Sequence, residues 1–125
     1  MALWSKAEDA AASARLLFDS GYYDGTVNRA YYAMFNAGRS VLAVIDPDLA
    51  RSKKHSTIIG RFGLHFVKSG KIEMQYARNF SVALDMRLMA DYSASSILAP
   101  EADRIIAMMA SFLQVLAPHQ NGSQQ

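Results

Sequence analysis

Apolar side chains return every three or four residues along most of this chain, the spacing of one face of an α-helix. Five helical segments follow, and no segment alternates convincingly in the manner of a strand. The first covers about residues 5–19, with Ala7, Ala11, Ala14, Leu17 and Phe18 as its apolar stripe. Gly21 stands just beyond it, where a left-handed residue commonly closes a helix. The second begins after residues 22–26 and runs to about residue 45, setting Val27, Tyr31, Met34, Gly38, Val41, Leu42 and Ile45 on one side. Asp46-Pro47-Asp48 stops it, because proline pushes the residue before it away from helical geometry. The third spans about residues 56–68 on Ile58, Ile59, Phe62 and Phe66, with Leu64 and Val67 flanking. The fourth starts at residue 72 or 74 and ends near residue 93. The fifth covers about residues 100–116 on Ile105, Ile106, Met109, Phe112, Leu113 and Leu116. Pro100 suits its first turn, and Glu101 and Asp103 suit its positive end. The connections are short, and no repeat or linker interrupts them. The expectation is an all-α, up-and-down bundle of four to five helices in residues 1–117, with residues 118–125 as a flexible polar tail.

Two helices carry more than a core stripe. Opposite its apolar side the second bears Arg29, Tyr32, Asn36 and Arg39, where a solvated face more often shows a mixture of Lys, Glu and Gln. Two guanidiniums, a phenol and a carboxamide suit a phosphate, a nucleotide, a partner protein or a buried polar network. In the fourth helix Tyr76, Phe80, Leu84 and Leu88 form an apolar stripe that also contains Arg87 and Asp91. One turn apart, these two pair, either as a structural ion pair or as part of a site. Val82, Met86 and Met89 give that helix a second apolar face, so burial against a partner subunit or in a ligand cleft is expected.

Composition narrows the chemistry. Formal net charge is only +2, which permits RNA or nucleotide binding without demanding it. With no cysteine there is no disulfide framework and no thiolate metal site. The first nine residues lack the basic and apolar regions of a signal peptide, and no apolar run approaches a bilayer span. A cytoplasmic protein without membrane attachment is expected. The seven glycines are scattered, so no phosphate loop is present, and no histidine–carboxylate spacing points to a metal. No cofactor is expected. His55 stands at a helix start beside Arg51, Lys53 and Lys54, a cluster that suits either a phosphate or a solvated basic loop. His65 reads as a packed or surface imidazole, and His119 lies in the tail.

Three blocks in order carry a family resemblance. Asn28-Arg29-Ala30-Tyr31-Tyr32-Ala33-Met34-Phe35-Asn36-Ala37-Gly38-Arg39 resembles the Arg-Ala-Tyr-Tyr-Ala-x-Phe-His-Ala-x-Arg signature of the HEPN domain family. Lys54-His55-Ser56, with Phe62 and Phe66 to Gly70 downstream, resembles the next block, and Arg87-Leu88-Met89-Ala90-Asp91-Tyr92 resembles Arg-x-x-Ala-Asp-Tyr. The resemblance implies a helical bundle that dimerises. Many members are metal-independent ribonucleases built on an Arg followed by a His at the dimer cleft. Others bind nucleotides or act without catalysis, and small ones are often paired with a minimal nucleotidyltransferase in toxin–antitoxin systems. Here Arg87 matches the family Arg, but Asp91 stands where the His is sought, and Asn36 replaces the His of the second helix. An aspartate paired with arginine is a poor proton donor, so the general acid is missing. The expected protein is a non-catalytic or weakly catalytic HEPN-like homodimer, partner of a nucleotidyltransferase-like protein, with Arg29, Tyr32, Asn36, Arg87 and Asp91 at its cleft. Tyr92 is the expected modification target. The alternatives are a ribonuclease toxin using Arg87, Asp91 and His55, and a nucleotide-binding regulator.

Overall fold

A computed structural model describes residues 2–120, and among them no strand occurs. Five α-helices form the bundle: α1 (Ala2–Asp19), α2 (Tyr23–Ile45), α3 (His55–Phe62), α4 (Met74–Tyr92) and α5 (Ala99–Leu116). The expected all-α bundle is the observed fold. The expected polar tail begins within a 3-10 turn, residues 117–119, in which the His119 and Phe66 rings meet edge to face with centroids 5.5 Å apart. Residues 121–125 lie outside the described part.

α2 is the central element, packed by α1, α3, α4 and α5. It can take this place because small residues lie beside large ones on its inward side. Ala30, Ala33, Ala37 and Gly38 are fully enclosed with Tyr31, Met34, Val41 and Leu42. Ala7, Ala10, Ala11 and Ala14 make α1 equally slim, so the two axes approach closely. Gly21, with φ of +82°, turns the chain between them in the left-handed region that glycine enters without strain. The expected apolar side of α2 is buried except at its end, where Ile45 is exposed because the helix has passed the core. No helix of the described residues is long and apolar enough to cross a membrane.

Two expectations need correction. The inward face of α4 is Tyr76, Phe80, Ala83, Leu84 and Arg87, whereas Leu88 is exposed. At about 100° per residue a four-residue spacing drifts by about 40° each step, and three steps carry Leu88 off the core side. The third helix is also not uniform. After Phe62 the backbone widens into a π-type turn over Gly63–Val67, and its closing Lys68 N–H donates to the Gly63 carbonyl. The wider turn keeps Phe66 in the core, where it stacks on Phe62 at 5.4 Å, and leaves Leu64 exposed.

The remaining connections are tied by side chains. Asp24 Oδ1, in the first turn of α2, accepts the Ile97 N–H at 2.8 Å and anchors the α4–α5 connection. Glu101 Oε1 accepts the Leu98 N–H at 2.9 Å, satisfying one orphan donor at the start of α5.

Candidate anion-binding cleft on α2

The polar face of α2 runs between two shallow clefts that share Tyr32 and Asn36. One, about 390 Å³, is bounded by Lys6 and Asp9 of α1 with Arg29, Tyr32 and Asn36. The other, about 220 Å³, is bounded by Tyr32, Phe35, Asn36, Arg39, Lys53 and His55. Three expected residues, Arg29, Tyr32 and Asn36, therefore line one continuous surface. Packing explains the alignment. Tyr31 and Phe35 turn inward beside Tyr32, their rings 5.4 and 6.2 Å from its ring, and fix its orientation.

α4 delivers Arg87 to the same place. Its guanidinium carbon lies 5.2 Å from the Tyr32 ring centre and 5.9 Å from that of Tyr31. Arg29 approaches Tyr32 at 5.8 Å. Two cations thus converge on one phenol, each attracted by its ring quadrupole. Asp91 Oδ2 stands 3.2 Å from Arg87 Nε, so the expected pair forms, with the two side chains 16% and 30% exposed. The N–H direction is poor, however, and Arg87 Nε makes no hydrogen bond. Asp91 occupies the last turn of α4, where the carbonyl end of the helix disfavours an anion. Arg87 is the interaction that offsets this, and the pair is charge compensation near a surface rather than a deeply buried bridge.

The basic connection divides. Arg51 turns away to Asp48 at 3.7 Å, both fully in solvent, whereas Lys53 reaches the cleft. His55 enters it too. Its Nδ1 is 2.6 Å from the Tyr31 hydroxyl, and its ring lies 4.6 Å from that of Phe35. Burial, and then the Arg87 charge, push the His55 pKa below the usual value. Burial and the neighbouring Tyr32 phenol raise that of Tyr31, against the opposing pull of Arg87. Arg39 is drawn down by burial but stays charged. It is braced by Asn36 Oδ1 at 3.3 Å, by the Ala50 carbonyl and by the Phe35 ring at 5.6 Å. Its Nε is enclosed without a partner.

Tyr31 and Lys6 were not among the expected site residues. Arg39 was visible on the polar face of α2, and Lys53 in the basic run. Tyr31 was read only as core, although a buried phenol signals an undisclosed partner. Tyr92 is not brought into the cluster. It lies about 140° around α4 from Arg87 and is 79% exposed. Among the described residues no group of histidine and carboxylate side chains is placed to hold a metal.

A profile of the HEPN domain family matches residues 1–119. The chain belongs to the HEPN family. A protein of Methanocaldococcus jannaschii named "Putative toxin" is 36% identical over 105 residues, covering 84% of this chain and 76% of the relative. A second protein of that organism with the same designation is 31% identical, over 83% and 69% of the two chains. A UPF0332 protein of Gloeobacter violaceus is 32% identical over 90% of this chain and 89% of its own. In this HEPN chain the second helix, which carries the first family block, lines both clefts, and the family arginine, Arg87 of α4, lies beside the Tyr32 ring that the two clefts share.

Proposed function

We propose that this HEPN protein is a toxin-like component that acts in the cytoplasm as a homodimer and binds the phosphate of RNA or of a nucleotide at the α2 cleft. Its partner on this reading is a minimal nucleotidyltransferase, and its own catalysis is weak or absent. The observation that carries the reading is the convergence of Arg87 and Arg29 on Tyr32, with Lys6, Lys53 and Arg39 around them. Cations on an aromatic platform fit a phosphate with an adjoining base or sugar. The two relatives named as toxins support the toxin-like role. The nucleotidyltransferase partnership rests on the resemblance of the Arg87–Tyr92 block, and the exposure of Tyr92 leaves it open to a modifying enzyme.

The test is binding of labelled single-stranded RNA and of a mononucleotide, read by fluorescence anisotropy. Replacing Arg87 by Ala removes charge-assisted hydrogen bonds of about 1.5–3 kcal/mol, so affinity should fall roughly ten- to a hundredfold. Unchanged affinity in a folded Arg87→Ala protein would remove Arg87 from the site. Growth arrest on expression, relieved by a co-expressed nucleotidyltransferase, tests the partnership.

One observation favours the ribonuclease alternative. His55 bonds Tyr31, whose ring Arg87 also approaches, so a histidine stands in the neighbourhood of Arg87 although α4 has none. Metal-independent cleavage of RNA, abolished by Arg87→Ala and by His55→Ala with helicity retained, would make this reading the correct one.

A further inference from the structure

The Tyr31 side chain is fully enclosed, so its hydroxyl must find its partner within the protein. Among the described residues that partner is Nδ1 of His55, at 2.6 Å. Burial keeps the phenolic proton in place, and that proton needs an acceptor. Nδ1 is the acceptor available. The proton of the neutral imidazole is then on Nε2, because a neutral ring carries only one. A donating Nδ1–H would instead leave the buried phenol with no acceptor for its own proton. The ring stays neutral because both burial and Arg87 disfavour its charge.

His55 shares its cleft with Lys53, Arg39 and Asn36, over the rings of Phe35 and Tyr32. No carboxylate lines it. The Arg39 guanidinium is held in place by Asn36 and the Ala50 carbonyl, so its orientation is fixed before any ligand arrives. A braced arginine, a lysine and an imidazole N–H on an aromatic wall are a set of donors with no carboxylate among them to neutralise their charge.

We propose that this cleft is a phosphate-binding subsite distinct from the Arg87–Asp91 pair, in which Tyr31 holds His55 as a neutral Nε2–H donor to the phosphate oxygens. The proposal deepens the anion reading above and rests on it. It also assigns roles. Lys53, Arg39 and His55 touch the phosphate, and Tyr31 is a positioning residue. In this tautomer Nε2 is already protonated, so His55 binds an oxyanion and is not a general base. The arrangement explains how a cleft with an arginine and a histidine can bind RNA without cutting it.

Sulfate is the probe, because it does not titrate between pH 5 and 8. His55 faces Tyr31, Tyr32 and Arg39 from α2, Lys53 from the preceding connection and Arg87 from α4. Of these groups only His55 ordinarily titrates in that range. Held neutral by Tyr31, it adds no charge there, so sulfate affinity should change little as the pH falls from 8 to 7. Imidazole ¹⁵N NMR should show an unprotonated Nδ1 and a protonated Nε2 in the free protein. Tyr31→Phe should mix the tautomers, an effect that a merely structural tyrosine would not have. Lys53 is at the surface, and Lys53→Ala should weaken sulfate binding severalfold in a folded protein whatever becomes of Tyr31→Phe. Competition by a mononucleotide or by a short RNA then distinguishes the source of the phosphate. An Nδ1–H tautomer in the free protein, or sulfate binding indifferent to Lys53→Ala, overturns the subsite. If RNA binding still depends on Arg87 in that event, the broader function stands without it.

Discussion

At the residue scale, the contact between Tyr31 and His55 has consequences that do not depend on the identity of the ligand. Removing the hydroxyl in Tyr31→Phe deletes one buried hydrogen bond and leaves Nδ1 without its donor, a loss of about 0.5–1.5 kcal/mol of stability by chemical denaturation. The pH dependence has a definite sign. His55 has a lower pKa in the folded protein than its ordinary value of 6.5, so between the two values the unfolded chain binds more protons. Its contribution is therefore fully present above about pH 6.5 and is lost as the pH falls through the folded value. Denaturation midpoints should decline over that window, less so in His55→Phe, whose unfolded form has no proton to gain. This contact lay beyond sequence reading for a physical reason. Tyr31 and His55 are separated by 24 positions and a connection that includes a 3-10 turn, and local periodicity carries no information about which loop residue meets which core hydroxyl. Arg87 and Asp91 were legible as a pair because both lie one turn apart on one helix.

At the scale of the element, α2 and α4 cross where Gly38 permits it. A Cβ built at Gly38 would sit 3.0 Å from Phe80 Cε2 and 3.2 Å from its Cζ. Phe80 cannot retreat, because its fully buried ring is already packed among Phe62, Phe112 and Tyr31 at 5.8, 5.0 and 6.3 Å. Two effects oppose one another in Gly38→Ala. Alanine is a better helix former by about 0.8–1 kcal/mol, while overpacking a rigid site costs about 1–3 kcal/mol. The clash should win, with a net loss of about 1 kcal/mol and a lower melting temperature by calorimetry. The effect should extend to ligand binding, since the same crossing sets the height of Arg87 over Tyr32. Helix existence and order were readable from periodicity. The π-type turn after Phe62 was not, because a single inserted residue in the backbone pattern changes no apolar residue type. The outward drift of Leu88 was predictable in principle, as a stripe built on fours alone leaves the core within a few turns.

For the whole molecule, the unequal covering of the helices suits the proposed homodimer. α2 buries twelve of its twenty-three residues, whereas α4 fully buries only Phe80 and Ala83 of its nineteen. Leu88 and Met89 remain 39% and 57% exposed, with Tyr92 beside them. These side chains lie on the side of α4 away from α2, so a dimer formed through them would leave the phosphate cleft of each protomer lined by its own residues. Light scattering at micromolar concentration should return the mass of two chains. Met89→Asp places a charge in that contact, and burying it unpaired is costly enough to shift the equilibrium to monomers without changing helicity. The monomer should still bind sulfate, because Lys53, Arg39 and His55 come from one chain. It should bind a longer RNA more weakly than the dimer does, because two linked sites raise the effective concentration of the second contact. A wild-type protein that is strictly monomeric and still binds long RNA would separate the cleft from dimerisation and place the whole function on one bundle.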